Sequence, residues 1–508
     1  MTFYGCITVG PDYIKPSVPP LTQWLEKDDS RLQSKAADDN SQWWKNFNDP
    51  VLDLLIEKAY QQNLSLRMAG IRIMESRARL HIALGNRFPQ KQQVTGGYTY
   101  ANASENSANT MGIDLSYGEV NLGFDAAWEL DFWGKFRRAV ESDVAALKAS
   151  VAGYDDVLVT LTAEVARVYV QIRTFEQRMA IARENVTTQE RSLNIATVRF
   201  NAGEVTELDV MQARTLLKNT QALIPRLESN LRRSKNALCI LLGTLPDDLL
   251  DLLGNTASSI PAAPATVAVG IPADLLRRRP DIRHAELQVA AQSALVGIEK
   301  ADLYPHFSLF GSIGLSSTNG ENTNAGGFKG SHLDDLFHAD SIQFFVGPTL
   351  SWDILNYGRI KNRVRVQDAR LQQQIVNYQH TVLSAVRETE DALVSFFKSQ
   401  EAETLMAESV RAAKRSVEIS QTQYREGIEG YQRVLDTLRF QSEQEDSLSN
   451  IKGSVALNLI AIYKALGGGW EIRKGREFIP EKTKEVMRYR TNWGELLDIG
   501  NAGKSNSE

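Results

Sequence analysis

Four features of this chain carry residue types that could do chemistry. In "HLDDLFH", His332, Asp334, Asp335 and His338 offer the imidazole and carboxylate groups that a divalent metal takes. The stretch lies in a Gly/Asn/Ser-rich loop, and it is read as surface polarity rather than as a metal site. Cys6 and Cys239 form neither a disulfide framework nor a metal-site spacing. Cys239 in "ALCILLG" reads as a small buried apolar residue. Cys6 precedes the Pro-rich "ITVGPDYIKPSVPP", and an exposed cysteine so placed invites lipidation. Five preceding residues are too few for a signal peptide, so either a leader is missing or Cys6 is incidental. Finally, Asp436 and Arg439 in "VLDTLR" stand three apart, on one face of a helix. Spacing alone leaves open a functional pair or a solvated ion pair worth about a few tenths of a kcal/mol. No zinc-protease helix, phosphate loop, nucleophile elbow or catalytic carboxylate pair is present, so neither an enzyme nor a cofactor is expected.

The elements that must position these residues are written twice. "WELDFWGKFRRAV" at Trp128 is echoed by "WDILNYGRIKNRV" at Trp352. Gly134, Gly203 and Gly243 are echoed by Gly358, Gly427 and Gly467, all at an offset of 224. Upstream, "NRFPQ" at Pro89 matches "DLYPH" at Pro305 at an offset of 216, and the second copy holds its eight extra residues in a loop rich in Gly, Asn and Ser. Apolar residues from Val144 through Leu147, Val151, Tyr154, Leu158, Leu161, Val165, Val168 and Ile172 to Val186 alternate steps of three and four. That heptad seam predicts a long supercoiled helix of roughly 100 Å, and its counterpart follows Gly358. Shorter helices return to Gly243 and Gly467, with further helices expected at about 50 to 87 and 273 to 304. Pro225 in the first return helix predicts a kink rather than a break.

Between the helices the period changes to two. In "EVNLGFDAAWELD" Val120, Leu122, Phe124, Ala126 and Trp128 point one way, and Glu119, Asn121, Asp125 and Glu129 the other. "SIQFFVGPTLSWDI" alternates likewise, and "QVTGGYTYA" and "HFSLFGSIGLSS" bring the count to four strands. An apolar-out, polar-in strand suits a transmembrane barrel with a wet lumen, or else a half-exposed sheet on a water-soluble core. Four strands cannot close a barrel, so several chains must contribute.

The totals agree with this scheme. The 508 residues carry 57 Lys and Arg against 62 Asp and Glu, a net charge of −5, which leaves no basic excess for nucleic acid. No run approaches the roughly 18 apolar residues of a membrane-spanning helix. A chain that crosses a bilayer without one must do so as a barrel.

At "GCITVGPDYIKP", "WELDFWGK", "LLRRRPDIRHAE" and "ALGGGW" the chain resembles the TolC-like outer membrane factor family, in its lipoprotein branch serving resistance-nodulation-division pumps. The resemblance runs from Cys6 to Trp470 and departs from the branch's opening in Phe3, Tyr4 and the inserted Ile7. It implies a mainly α fold with a small β part. Three copies would form an α-helical barrel in the periplasm, continuous with a twelve-stranded outer-membrane β-barrel of four strands per protomer. The corresponding division is an N-terminal anchor and extended segment at 1–48, a first repeat at 49–254, an equatorial linker at 255–272, a second repeat at 273–469, and a tail at 470–508 that is equatorial or disordered. Cys6 would be the acylated residue.

The resemblance also implies a periplasmic gate. Gly203 and Gly427 would form the tip turns, Asp209 a constricting aspartate, and Tyr424 a tyrosine bonded to a neighbouring helix in the closed state. Asp436 and Arg439 match an aspartate and arginine of the gate, and Gln432 stands where relatives carry an apolar plug. Three copies of one aspartate around an axis make a ring that favours cations. The implied partners are two further copies of the chain, a periplasmic adaptor (membrane fusion) protein, an inner-membrane resistance-nodulation-division pump and outer-membrane lipid, with no nucleic acid. The expected function is a passive exit duct for drugs or other small molecules. The alternatives are a polypeptide-secretion duct and a coiled-coil scaffold or adhesin.

Overall fold

A computed structural model describes residues 8–17, 23–33, 41–106, 115–254, 259–269, 278–319 and 332–498. Cys6, residues 320–331 of the Gly/Asn/Ser-rich loop and the end of the tail lie outside them. The chain divides into two compact units, one of Met1–Lys15, Glu75–Lys148 and Glu286–Val376, the other of Pro16–Met74, Ala149–Ala285 and Asn377–Glu508.

The elements, in chain order, are β1 (Leu32–Gln33), α1 (Pro50–Gln62), α2 (Leu64–Gly85), β2 (Lys91–Asn102), β3 (Ser116–Glu129), α3 (Lys135–Asn201), α4 (Glu207–Leu241), α5 (Leu250–Leu253), β4 (Val267–Ala268), α6 (Pro280–Ala301), β5 (His306–Thr318), β6 (Ile342–Ser351), α7 (Arg359–Arg425), α8 (Tyr431–Ala465) and α9 (Glu481–Arg490). The repetition is kept to the residue. Helices α3 and α7 both have 67 residues, α4 and α8 both have 35, and each second-copy helix starts 224 positions after its counterpart (135 to 359, 207 to 431). The repeated glycines show why: all six hold φ between +70° and +83°, a left-handed conformation without a Cβ penalty, Gly134 and Gly358 just before the long helices and Gly203, Gly243, Gly427 and Gly467 just past helix ends.

The first unit contains an antiparallel sheet in the order β2-β3-β5-β6. Its register aligns Val94, Phe124, Ile313 and Phe344 across all four strands on one face. The neighbouring row is Gly96, Leu122, Leu315 and Ile342. This apolar face is bare: Val94 and Phe344 are 75% exposed and Val346 is 78% exposed. The opposite face is polar, with Asp125 accepting hydrogen bonds from Gln93 at 3.2 Å and Thr95 at 3.4 Å. Phe310 and Phe345 depart from the alternation and pack on each other on that face, 5.1 Å between centroids. Strand β6 ends at Ser351, three residues before the expected limit, because its partner β5 begins opposite it at His306, after Pro305, which has no N–H to offer the ladder.

Helix meets strand through a short, well-bonded turn. After α6, the Tyr304 N–H bonds the Ala301 carbonyl at 3.1 Å, Pro305 follows, and β5 begins at His306. Trp133 stacks on Tyr304 with centroids 4.6 Å apart and donates to the Pro305 carbonyl at 2.8 Å. Lys135 pairs with Asp302 at 2.8 Å, and His306 Nδ1 lies 2.8 Å from Glu129. The extended N-terminal segment is tied to the same place. The Val9 N–H bonds the Trp133 carbonyl at 3.0 Å, and the buried Arg138 reaches the Val9 carbonyl at 3.2 Å and Asp12 at 2.7 Å.

The second unit is helical. Along α3 the expected seam residues Leu158, Leu161, Val165, Val168 and Ile172 are all buried, as are Tyr378, Val382, Ala385, Phe396, Val410 and Val417 along α7. Thr389, a polar interruption of that seam, is also buried, its hydroxyl bonded to the Ala385 carbonyl at 3.0 Å. Helix α4 runs unbroken through Pro225. The helix expected at 50 to 87 is instead divided at Asn63. Its extended backbone stops α1, its side-chain oxygen caps α2 by accepting from the Leu66 N–H at 2.9 Å, and its amide donates to the Leu241 carbonyl at 2.9 Å. Helix α6 starts at Pro280, with proline at the first helical position, and residues 273–277 of the stretch expected to be helical lie outside the described ones.

Candidate functional site: the helix turns and the return helices

Two turns in the second unit join the long helices to the return helices. At the first, α3 ends at Asn201, Gly203 takes φ +78°, and the Glu204 N–H closes on the Arg199 carbonyl at 2.9 Å. Thr206 then starts α4 from an extended conformation. Asp209, three residues on, turns its carboxylate back to accept from the Thr206 N–H at 3.2 Å and hydroxyl at 3.3 Å. Asp209 is thereby engaged as a helix cap. The second turn lacks this device: Gly430 starts α8, and Arg433 stands at the position of Asp209.

Tyr424 is buried at the end of α7, where its ring meets Tyr431 at 5.1 Å and the Arg199 guanidinium lies 4.6 Å above it. Arg199 also donates to the Tyr424 carbonyl at 2.6 Å and to Glu204 at 2.8 Å, so one side chain from α3 binds both turns. Burial pushes the Tyr424 phenol above its ordinary pKa and that of Tyr431 up to about 12. The Tyr424 hydroxyl has no hydrogen-bond partner within the described residues.

On α8 the structure brings three of the expected gate residues together. Asp436 accepts from the Gln432 amide at 3.1 Å, and Arg439 lies 3.6 Å from the same carboxylate. Both ends of the ion pair are at least half exposed, so its direct contribution is about 0.3 to 0.5 kcal/mol. The three line a cleft of about 420 Å³ whose other walls include Leu208, Met211, Leu216 and Leu435. Gln432 thus supports Asp436.

Several residues near the turns escaped the sequence reading. Arg199 has no echo in the second copy, where Gln423 takes its position. Beyond Ala182 the seam of α3 becomes polar: Asn185, Gln189 and Ser192 are buried. Asn185 donates to the buried Glu445 at 3.0 Å, which Lys414 reaches at 3.1 Å, and Ser192 shares a 2.9 Å hydrogen bond with Tyr431. The spacing of Asn185, Gln189 and Ser192 continues the heptad rhythm, a signal that a search for apolar residues passes over.

The "RRPDIRHAE" stretch has a different task. The buried Arg279 grips Asp281 at 3.0 and 2.7 Å, the α8-terminal Ala465 carbonyl at 2.9 Å, and Glu388 on α7 at 2.9 Å. Asp155, fully buried on α3, is held by both Nε and Nη2 of Arg473, with Arg283 at 3.8 Å. This arrangement fastens the tail, which is folded through Asp498, with Ile479, Met487 and Leu497 buried. The "HLDDLFH" residues form a surface turn in which Asp335 accepts from the His332 N–H at 2.9 Å. Among the described residues no group of three metal-ligating side chains converges.

Comparison with known proteins identifies the lineage. The family described as outer membrane efflux protein matches residues 55–244 and 271–468. The solvent efflux pump outer membrane protein SrpC of Pseudomonas putida is 30% identical over 481 residues, covering 92% of this chain and 96% of its own length. A probable outer membrane lipoprotein, SilC of Salmonella typhimurium, is 28% identical over 472 residues, covering 92% and 96%. The solved structure of the outer-membrane channel OprN superposes with a TM-score of 0.82 at 30% identity, covering 91% of this chain and 99% of the channel.

Proposed function

Since the chain belongs to the outer membrane efflux protein family and is an outer-membrane efflux channel, we propose that three copies build one duct, each contributing four strands to a twelve-stranded barrel. The duct takes small molecules from an inner-membrane resistance-nodulation-division pump and a periplasmic adaptor and releases them outside. The bare apolar face of the β2-β3-β5-β6 sheet carries this reading, together with the two outer strands that end it. A four-stranded sheet that exposes Val94, Phe344 and Val346 on one face and Asp125 on the other is stable only where lipid covers the first and water the second. Its free edges demand further strands.

Membership of a family of channel proteins accords with a duct that does no chemistry of its own. Cys6 is the acylated residue in this reading. Supporting it, Thr8 and Val9 are fixed against Gly134 and Trp133, at the strand–helix boundary where aromatic side chains gather, and two residues of chain reach only about 7 Å. The turns at Gly203 and Gly427 and the Gln432, Asp436 and Arg439 cluster form the periplasmic gate. Asp436 faces the passing solute, Asp209 shapes the tip by capping α4, and the buried Tyr424, its ring held between Tyr431 and Arg199, braces the end of α7. The polypeptide-duct and scaffold alternatives draw no support from the relatives.

Purification from membranes with and without detergent tests the reading. A detergent-dependent particle of three chains, with a lipid adduct on Cys6 and stepwise conductance in a planar bilayer, is expected. A monomer content in plain buffer overturns it.

A further inference from the structure

The repeat supplies a template for a contact that a single chain cannot make. Two contacts within the first unit establish that the template holds. The Trp128 indole donates to the Arg87 carbonyl at 3.2 Å, and Trp352 donates to the Leu303 carbonyl at 3.1 Å. These are one interaction at offsets of 224 and 216. The turns that follow α2 and α6 also correspond: Phe88 N–H to Gly85 at 3.1 Å, Tyr304 N–H to Ala301 at 3.1 Å.

A third contact is made only once. Trp133, of the first copy, stacks on Tyr304, of the second, at 4.6 Å and bonds the Pro305 carbonyl. The same offsets place Tyr357 where Trp133 stands, and Phe88 and Pro89 where Tyr304 and Pro305 stand. In the chain the Tyr357 and Phe88 rings meet no other ring among the described residues, and the Pro89 carbonyl accepts from the Gln92 side-chain amide at 3.3 Å. Tyr357 is 100% exposed and holds φ at +52°, a conformation that is costly for a tyrosine, and Phe88 is 69% exposed. The mate of each is therefore on another molecule.

We infer that Tyr357 of one copy docks on Phe88 and Pro89 of the next, reproducing between chains the Trp133–Tyr304 stack seen within one. The occupant is a second copy of this chain, because only it carries the complementary half of the repeat. The contact is heterologous, so successive copies propagate around a ring until it closes. It also abuts the free edges of β6 and β2, the strands left at the ends of the sheet. The template fixes this contact rather than the strand register, since β5 starts directly after Pro305 and β2 only at the second residue after Pro89. The Lys135–Asp302 ion pair maps to Arg359 and Asn86, so the repeated contact relies on ring stacking and hydrogen bonding.

This inference rests on the multi-chain duct proposed above. Its test replaces Tyr357 by p-benzoyl-phenylalanine, which keeps an aromatic ring at the position, and irradiates the detergent-purified full chain. A parallel protein carries the same probe in place of Trp133. The probe at position 133 is expected to form adducts with residues 303–307 of its own chain and no mass increase. The probe at 357 is expected to give bands of two and three chains, with the adduct mapping to residues 86–91. A trimer whose adducts map elsewhere, or only within one chain, overturns the contact and leaves the duct standing. A monomer overturns both.

Discussion

Replacing Arg473 by methionine removes the principal partner of the most deeply buried charge in the second unit. Asp155 is fully buried, and Arg473 contacts both of its oxygens, one of them at 2.9 Å. Arg283, the next cation, is 3.8 Å away. Stranding a carboxylate in this way costs roughly 3 to 5 kcal/mol. The guanidinium also lies over the rings of Trp470 and Phe478, at 5.5 and 5.2 Å, and each contact adds about 0.5 to 1 kcal/mol. Because Arg473 belongs to the tail, the loss acts first on local opening of residues 470–498. Tryptic cleavage after Lys474 or Arg476, measured where cleavage is slow relative to reclosing, follows the population of the open form. It should accelerate about 1,000- to 100,000-fold, which is the summed 4 to 7 kcal/mol at 1.4 kcal/mol per decade. Acid should repair the variant. Burial raises the pKa of Asp155, and losing Arg473 raises it further. A group raised in the folded state favours folding below its unfolded pKa and loses that advantage as pH rises through the folded value, so the defect shrinks as the pH falls and is largest where Asp155 is fully ionised. The Asp155→Leu, Arg473→Met pair should cleave close to the wild-type rate. A single variant within threefold of wild type at pH 7.5 refutes the reasoning.

Asp436→Ala should raise single-channel conductance and weaken cation preference. Asp209→Ala should raise conductance by loosening the tip and cost about 0.5 to 2 kcal/mol of cap stability, seen as faster hydrogen exchange at residues 206–210. Gly203→Ala pays only for its φ of +78°, about 1 to 2 kcal/mol, because nothing lies within 4 Å of the new methyl. Gly243→Ala should melt several degrees lower still, as its Cβ would come 2.5 Å from the Gln62 carbonyl oxygen. Val346→Arg, on the bare sheet face, should cut the membrane-inserted fraction by an amount corresponding to about 2 to 4 kcal/mol near the bilayer midplane, assayed by flotation. The Asp156 pKa is raised by burial and by the neighbouring Asp281, so its ionised form opposes folding. Asp156→Asn should therefore raise the melting temperature at pH 7, and the gain should vanish below about pH 3, where both states of the wild-type residue are protonated.

Much of the fold was legible because repetition is a pattern of positions. Three pairs of glycines at an offset of 224 mark three pairs of helix ends, and all six take the left-handed conformation. Strand alternation likewise predicted which side chains of β3 share a face. The breaks were harder, since they depend on contacts distant in sequence. Asn63 divides α1 from α2 by bonding Leu241, and β6 stops at Ser351 opposite His306, where its partner strand begins. At the turns, spacing placed Asp436 and Arg439 on one face, and the structure adds Gln432 to them. Spacing could not show that Arg199 would bridge to Tyr424, because that bond spans 225 positions and has no echo in the other copy. Asp209 illustrates the opposite case: a carboxylate three residues after Thr206 is a capping signature legible in its own right.

The change of character along α3, from Leu158 and Val165 to Asn185, Gln189 and Ser192, works as a graded bearing. Parting the aliphatic stretch wets hydrocarbon at about 25 cal/mol per Å², a cost that grows with every residue uncovered. Parting the amide and hydroxyl stretch trades bonds such as Asn185 to Glu445 for bonds to water, a loss of about 0.5 to 1.5 kcal/mol apiece. The rod is consequently gripped by area through its middle, by discrete bonds from Asn185 to Ser192, and by area again at the turn, where Ala196 joins Val210, Ala213 and Tyr431, so slippage is easiest between two fixed ends.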